Sequence, residues 1–193
     1  MAQYIAPNST IVGNVTLGDN VSVWYGAVLR GDNCTITVGD NTNIHSCLIE
    51  QSKVGSGVRL GPNSHLRPNS VLADKVKIGN FVEVKNSTLG EATSVAHLTY
   101  IGDSDFGAHV NVGCGVVCVN YDGYSKARCT VGDNAFIGCN TNLVAPVTVQ
   151  AGAYTAAGST ITHEVPENAL GIARARQTNI ENWVQKHKAK YGK

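Results

Sequence analysis

Residues 54–84 read "VGSGVRLGPNSHLRPNSVLADKVKIGNFVEV", and an aliphatic side chain returns at every sixth position of this stretch. An α-helix would repeat its apolar face every 3.6 residues, and a half-buried strand every second residue. A six-residue period instead predicts one flat side of a parallel β-helix, in which a short strand is followed by a turn. The repeating residues are Val54, Leu60, Leu66, Leu72, Ile78 and Val84.

The same period continues outward on both sides of this stretch. Three six-residue sides make a coil of about 18 residues, and neighbouring coils lie ~4.8 Å apart, the spacing of paired strands. Residues 5–161 are therefore predicted to form about eight or nine coils with the aliphatic residues inside. Five-residue steps such as Val84 to Leu89 predict tightened corners. The outlying repeat positions are Ile5, Ile11, Leu17, Val23 and Leu29, and then Val131, Ile137, Leu143 and Val149.

Two segments depart from the period. Residues 119–130, "VNYDGYSKARCT", are too polar for the interior and too long for a corner, so they are predicted to project as a loop. After Pro166 the repeat stops. This gives a predicted β-helix domain over 1–165 and a C-terminal extension over 166–193.

The extension is predicted to contain an amphipathic helix at about 178–190. Thr178 and Glu181 have the spacing of a capping box. An isolated helix of this length is unstable in water, so it is expected to cover the open edge of the last coil or to pack on a neighbouring subunit. Its apolar face contains Ile180, Trp183, Val184 and His187.

Composition narrows the class of protein. The 193 residues have a formal charge of +1, which gives no indication of a nucleic-acid or membrane partner. The start of the chain has no signal-peptide pattern and no long apolar run is present, so a cytoplasmic protein is expected. Without a C-x-x-C pair, the cysteines are expected to be small buried residues, and a disulfide framework is the weaker alternative. They are Cys34, Cys47, Cys114, Cys118, Cys129 and Cys139.

Several polar side chains are not needed by a stacking repeat. Arg67 and Lys85 are 18 residues apart, one full coil, so they are expected to stand one above the other. Two stacked cations repel unless an anion such as phosphate lies beside them. The alternative is a pair of solvated surface residues. The other candidates of this kind are Glu83, His97, Tyr100 and Asn111.

His97 in "VAHLTYI" is the best candidate for acid–base chemistry, since an imidazole can accept a proton at neutral pH. The alternative is a hydrogen-bonded corner residue. The remaining histidines show no ligand-like convergence and are interpreted as surface or corner residues; they are His45, His65, His109, His163 and His187.

One long string, "RPNSVLADKVKIGNFVEVKNSTLGEATSVAHLTYIGDSDFGAHVNVGCGVVCVNYDG", is specific enough to indicate a family, together with "FIGCNTNLVAPVTV", "YTAAGSTIT" and "IARARQ". It resembles the C-terminal acetyltransferase domain of the bifunctional GlmU family, from about Val54 to Trp183. The resemblance implies an all-β, left-handed parallel β-helix with a C-terminal α-helix. It also implies an acetyl-CoA-dependent glucosamine-1-phosphate N-acetyltransferase that forms a homotrimer with sites between subunits.

The resemblance also implies roles for single residues. His97 is the expected catalytic base, and Glu83 would lie beside the sugar and orient the amine. Backbone amides near Cys114 would stabilise the oxyanion, and no metal is expected for acetyl transfer. The implied sugar-phosphate ligands are Arg67, Lys85, Tyr100, Asn111 and Lys126. The implied acetyl-CoA contacts are Cys114, Asn120, Tyr121, Cys139, Ala157 and Arg174.

The sequence also departs from that family. No nucleotidyltransferase pattern is present, so only the acetyltransferase activity is expected. Val116 stands where a hydroxyl residue is usual and Arg128 where Lys is common, and both are expected near the substrate loop. The identity of the amino sugar stays open.

Residues 5–44 resemble a different family, the γ-class carbonic anhydrases, including the "RGD" with Arg30 and Asp32. The "GH-x-x-x-x-H" metal pair of that family is absent, so these coils are expected to act as a trimeric cap. Two alternatives to the acetyltransferase follow. One is a metal-dependent hydratase, and the other is a non-catalytic trimeric protein that binds sugar phosphate or CoA.

Overall fold

The computed structural model describes residues 3–192. Met1, Ala2 and Lys193 lie outside the described residues, so the outer limits of the predicted domains, 1 and 193, do too. The secondary structure consists of short strands followed by one helix. The strands are Tyr4–Ile5 (β1), Thr10–Leu17 (β2), Ser22–Val23 (β3), Val28–Val38 (β4), Asn43–Ile44 (β5), Leu48–Glu50 (β6), Ser52–Val54 (β7), Arg59–Leu60 (β8), His65–Leu66 (β9), Ser70–Leu72 (β10), Lys77–Lys85 (β11), Thr88–Leu89 (β12), Ser94–Gly102 (β13), Ser104–Phe106 (β14), Asn111–Val112 (β15), Val117–Val119 (β16), Cys129–Val131 (β17), Phe136–Ile137 (β18), Asn142–Val144 (β19), Val147–Val149 (β20), Tyr154–Thr155 (β21), Thr160–Ile161 (β22) and Leu170–Gly171 (β23).

The strands form three parallel ladders, which are the three faces of a prism. Face 1 runs through β1, β3, β5, β8, β11, β13, β15, β18, β21 and β23. Face 2 runs through β2, β4, β6, β9, β11, β13, β16, β19 and β22. Face 3 runs through β2, β4, β7, β10, β12, β14, β17 and β20. The long strands β2, β4, β11 and β13 bend around a corner and belong to two faces, whereas the six-residue period predicts one short strand on each face.

The core is a stack of aliphatic side chains inside the prism. On face 2 the inward column includes Leu29, Leu66 and Ile101, which are at most 1% exposed. Buried hydroxyls at the corners bond to backbone carbonyl oxygens: Thr99 Oγ1 donates to the carbonyl of His97 at 2.7 Å and Ser70 Oγ to that of Val84 at 2.9 Å. The corners are therefore satisfied internally, which fixes the backbone where the faces meet.

The repeat extends further than its predicted end at 165. Strand β23, Leu170–Gly171, pairs in parallel with Tyr154–Thr155 and adds a final rung to face 1. The projecting loop is present between β16 and β17. In it, Asp122 Oδ1 accepts the backbone N–H groups of Tyr124 and Ser125 at 2.8 and 2.7 Å, so the loop has a defined internal turn.

The C-terminal helix differs from the prediction. It spans Trp183–Tyr191, so it begins five residues later than predicted, and the capping box does not form. Asn182 occupies the N-cap in the left-handed region at φ 54° and makes no side-chain cap hydrogen bond. None of the helical residues is buried. The expected cover over the last coil is therefore wrong for the single chain, because the extension leaves the prism before it becomes helical.

The cysteines are all free thiols. Cys47, Cys118 and Cys129 are buried as expected, whereas Cys139 is exposed because it lies at an outward corner. Within residues 3–192, no helix has the length and apolar character needed to cross a bilayer.

The inward column predicts the effect of a core truncation. Leu89→Ala removes a side chain that is 0% exposed, and we expect it to lower the free energy of unfolding by about 2–5 kcal/mol. Its neighbour Thr88 lies on the same strand and faces outward. Thr88→Ala should change the free energy by less than about 0.5 kcal/mol. Denaturant unfolding of both variants measures the difference, and equal losses would contradict the assigned register.

Candidate active site

Five of the predicted site residues lie on face 2 and at its two edges. In β13 the chain runs from His97, at the corner between faces 1 and 2, through Tyr100 to Gly102, at the corner between faces 2 and 3. Extended backbone advances ~3.3 Å per residue, so the two edges are about 15 Å apart. Glu83 is the register partner of Tyr100 and Lys85 that of Gly102. Because Leu66 pairs with Val84, Arg67 stands on the coil next to Lys85.

A cluster of cations gathers at the far edge of face 2. Arg67 Nη1 donates to Glu83 Oε1 at 2.9 Å, and this partner raises the pKa of the guanidinium. Lys126, on the projecting loop, comes beside Lys85 and lowers the pKa of Lys85, with a smaller contribution from Arg67. The predicted stack of like charges is therefore present, and the loop adds a third cation to it.

Asp103 is a member of this cluster that the sequence analysis did not single out. Its carboxyl group is nearly buried, which raises its pKa, but hydrogen bonds from Asn86 and Asn120 and the charges of Lys126 and Lys85 lower the pKa overall. Asp103 stands beside Asn86, 17 residues earlier, because the five-residue step from Val84 to Leu89 shortens this coil and makes Gly102 the partner of Lys85. A count that included this shortened coil could have placed Asp103 next to the Lys85 corner. The carboxylate of Asp103 offsets part of the positive charge of Lys85 and Lys126.

Asn120 connects the loop to face 2. Its amide donates to Asp103 and, at 3.4 Å, to the hydroxyl of Tyr100. The family resemblance implied a CoA contact for Asn120, whereas in the single chain its side chain belongs to the cation cluster. Its neighbour Tyr121 is 56% exposed and projects with the loop. Lys126, Asn86 and Asp103 line a cleft of about 300 Å³ at this edge.

His97 lies at the opposite edge of face 2 and is exposed. Within residues 3–192 its imidazole has no hydrogen-bond partner, so the alternative of a hydrogen-bonded corner residue is not favoured. The following residue, Leu98, turns the corner at φ 44°, and Phe81 does so on the preceding coil at φ 58°. A positive φ is costly for bulky side chains, and such strain concentrates at functional sites. Leu98 and Phe81 are also 60% and 58% exposed.

The predicted acetyl-CoA contacts follow the same corner towards the C-terminus. Val112, Ile137 and Thr155 are stacked by register, so the residues two positions later, Cys114, Cys139 and Ala157, form one column. Arg174 lies near this column, since a Cβ added at Gly158 would be 3.8 Å from its Cδ. Small side chains along the corner leave the backbone accessible. Asn111 is exposed on face 1, around the corner from His97 and away from the cation cluster.

The two positions that depart from the family pattern are not equivalent. Val116 lies just before the strand that leads into the projecting loop, as expected, but it is fully buried at 0% exposure and its side chain fills the core. Arg128 pairs with both carboxylate oxygens of Asp105, at 2.9 and 2.7 Å, and donates to the carbonyl of Asn86 at 3.1 Å. This holds the base of the projecting loop against face 3.

The N-terminal coils carry an ion-pair network instead of a metal site. Arg30 bonds to Asp32 and to Glu50 at 3.2 Å, and His65 Nε2 lies 2.9 Å from Glu50 Oε2. In the part of the chain that the structure describes, no three His, Cys, Asp or Glu residues group so as to hold a metal ion. His65, interpreted as a surface residue, is therefore a member of this network and the register partner of Glu83.

A three-sided parallel β-helix with six-residue sides is the architecture of hexapeptide-repeat transferases. The Bacterial transferase hexapeptide (six repeats) family matches residues 51–86. The UDP-N-acetylglucosamine acyltransferase LpxA from Bacteroides fragilis superposes with a TM-score of 0.58 at 18% identity, over 86% of this chain and 70% of that one. The corresponding enzyme from Francisella novicida gives 0.50 at 16% identity, over 86% and 66%. The left-handed β-helix fold is thereby confirmed.

Sequence similarity leads to a particular relative. The chain is 60% identical over 154 residues to the bifunctional protein GlmU of Caldicellulosiruptor saccharolyticus, covering 80% of this chain and 33% of that protein. It is 50% identical over 182 residues to GlmU of Geobacillus sp., covering 94% and 39%. The resemblance predicted from the motifs is confirmed, and the chain spans about a third to two fifths of the length of these relatives.

The cation cluster generates a prediction about protonation. Lys126→Ala should raise the pKa of Lys85, because it removes the neighbouring charge that lowers it most. The side-chain resonances of Lys85, followed by NMR through a pH titration, measure the change. Lys53→Ala removes an exposed lysine on face 3 and should leave this pKa unaltered. An unchanged Lys85 titration in the Lys126 variant would show that the loop does not reach face 2 in solution.

Proposed function

We propose that the chain is an acetyl-CoA-dependent N-acetyltransferase that converts glucosamine 1-phosphate into N-acetylglucosamine 1-phosphate. The observation that carries the proposal is the arrangement of face 2, where an imidazole with no hydrogen-bond partner among residues 3–192 and a cluster of three cations lie at opposite edges. Glu83 and Tyr100 lie between them. The similarity to GlmU supports this reaction over a metal-dependent hydratase or a non-catalytic binding protein.

The phosphate of the acceptor binds Arg67, Lys85 and Lys126, where it relieves the repulsion between the two lysines. The Arg67 side chain reaches over face 2 to Glu83, and the sugar extends from the phosphate towards His97. Glu83, already held by Arg67 at 2.9 Å, orients the amine, and Tyr100 and Asn111 contact the sugar. Binding in this way turns the encounter of two substrates into a positioned reaction.

His97 Nε2 or Nδ1 takes a proton as the 2-amino nitrogen attacks the thioester carbonyl carbon of acetyl-CoA. A C–N bond forms, the C–S bond breaks, and the CoA thiolate leaves and receives the proton. Backbone amides near Cys114 stabilise the negative charge that develops on the carbonyl oxygen. No cysteine is acylated in this scheme.

Acetyl-CoA binds along the corner column of Cys114, Cys139 and Ala157, with Arg174 at its end. The small side chains allow the pantetheine arm to approach the backbone, and the guanidinium of Arg174 contributes a charge for the phosphates of CoA. Asn120 and Tyr121 complete the pocket from the projecting loop of a neighbouring subunit.

We place the site in a homotrimer. The exposed Phe81 and Leu98 border the corner of His97, and the C-terminal helix, none of whose residues is buried, is a second surface left uncovered in the single chain. Exposed apolar side chains around a strained corner indicate a surface that another copy covers. A cytoplasmic location accords with the free thiols and with a nucleotide-sugar precursor as product.

The role of His97 predicts the result of removing it. His97→Ala should lower kcat for acetyl transfer by about 10²- to 10⁴-fold, the usual contribution of a general base. Release of the CoA thiol in a coupled assay measures the rate. His109→Asn changes another corner histidine, at φ 57°, and should keep full activity. Normal turnover by the His97 variant would refute the mechanism.

Substitutions in the cation cluster should lower the affinity for the phosphorylated acceptor and leave that for acetyl-CoA unchanged. The double variant Arg67→Gln with Lys85→Gln should raise the KM for glucosamine 1-phosphate by about 10- to 100-fold through lost charged hydrogen bonds. The KM for acetyl-CoA should stay the same, and unphosphorylated glucosamine should be used equally well by variant and parent. Steady-state kinetics with both acceptors measures this. An equal loss for the two acceptors would contradict a phosphate site.

A further inference from the structure

The corner between faces 1 and 2 contains a second feature, on the N-terminal side of His97. The residue that follows each inward aliphatic side chain of face 1 is Trp24, His45, Gly61, Gly79 and then Ala96 on successive coils. The rings of Trp24 and His45 are stacked, with centroids 5.0 Å apart and planes within 6°. The next two coils have no side chain at this position. The result is a groove of about 610 Å³ between His45 and His97.

The two glycines fix the floor of this groove. Gly61 has φ +95°, and a Cβ added there would lie 2.0 Å from the carbonyl oxygen of His45. A Cβ at Gly79 would lie 2.0 Å from the carbonyl oxygen of Ala96. No larger residue fits either position without moving the neighbouring coil. The groove is therefore a property of the fold and does not depend on side-chain rotamers.

Two cations form the face 1 wall of the groove. Arg59 and Lys77 are register partners on adjacent coils, so their backbones are ~4.8 Å apart. Their other neighbours in the ladder, Asn43 and Ser94, are neutral. Within residues 3–192 neither cation has an ion pair or a side-chain hydrogen bond. By contrast, Lys75 on the next corner pairs with Glu91 at 2.6 Å.

Two stacked cations over accessible backbone favour an oxyanion with several charges. We propose that this groove binds a diphosphate group, held by Arg59 and Lys77. The site is separate from the cation cluster of Arg67, Lys85 and Lys126, which lies beyond the opposite edge of face 2. It goes beyond the proposed acetyl transfer, which does not use these two residues.

The groove also fits a diphosphate that carries a ring. One side of the His45 imidazole lies against Trp24, so the other side faces along the stack towards Gly61. From His45 to His97 there are three coil steps, or ~14 Å. This length accommodates a base stacked on His45 and a diphosphate at Arg59 and Lys77. Free pyrophosphate and a nucleoside diphosphate share the chemistry, and the experiment distinguishes them.

Calorimetric titration of the full chain with inorganic pyrophosphate tests the site. The titrated protein already contains the substitutions Arg67→Gln and Lys85→Gln, which remove the cation cluster of face 2 as a second anion site. One pyrophosphate per chain should bind in this background. Adding Arg59→Gln and Lys77→Gln should weaken binding at least about tenfold, as expected for lost charge-assisted hydrogen bonds. Lys53→Gln, an exposed lysine on face 3, is the matched control and should have no effect.

Two results would overturn the proposal. One is that pyrophosphate does not bind to the protein with Arg67→Gln and Lys85→Gln. The other is that Arg59→Gln and Lys77→Gln leave pyrophosphate binding unchanged. If the combined variant has a lowered unfolding midpoint, Lys77→Gln alone is used and should still weaken binding. Acetyl transfer is measured on parent protein in a separate assay, so the failure of either proposal does not decide the other.

A second titration with uridine 5′-diphosphate identifies the source of the diphosphate. His45→Ala should weaken binding of the nucleotide and leave pyrophosphate binding unchanged if the base stacks on the imidazole. Equal affinities for both probes in parent and His45 variant assign the groove to free pyrophosphate. Either result supports a diphosphate site, whereas preference for uridine over both anions contradicts it.

Discussion

The structure depends on the parallel hydrogen bonding between successive coils. Backbone N–H groups of one coil donate to carbonyl oxygens of its two neighbouring coils, so residues about 18 positions apart stack directly. The spacing of two residues along the chain therefore determines whether they are neighbours in the folded structure. Arg67 and Lys85 become neighbours for this reason, and so do Arg59 and Lys77. A site built on such a lattice is rigid, because moving one side chain would require a coil to shift against both of its neighbours.

At the corners of the prism the backbone departs from the regular strand conformation, and functional side chains can be placed there. From Gly26 to Gly158, each coil turns the corner between faces 1 and 2 with a positive φ, and most of these coils use Gly, Asn or Ser there. Phe81 and Leu98 occupy the same turn on the two coils around His97 at a conformational cost. Thr99 Oγ1 bonds to the carbonyl of His97 and holds this turn from inside. The strained pair presents apolar surface beside the imidazole, as expected if a second subunit completes the pocket.

Much of the fold could be predicted because a six-residue period has one structural solution. The coil frame, the projecting loop and the stacked pair of Arg67 and Lys85 all follow from spacing. The C-terminal helix could not be located in this way, because Thr178 and Glu181 match a local pattern that Asn182 overrides by adopting a left-handed conformation. The burial of Val116 was missed for a related reason: family comparison gives residue identity at a position, and burial depends on which way the strand faces.

The charges on face 2 are partly compensated within the chain, and the remaining positive charge suits an anion. Arg67 is neutralised by Glu83, while Lys85 and Lys126 share the single buried carboxylate of Asp103. Among the described residues the cluster therefore keeps one net positive charge, and the proximity of Lys126 lowers the pKa of Lys85. Under the proposed function, a dianionic phosphate bound here would supply the missing charge where the two lysines repel each other. Its binding would fix one end of the acceptor and so position the amine at the other end, without a shift of the coils.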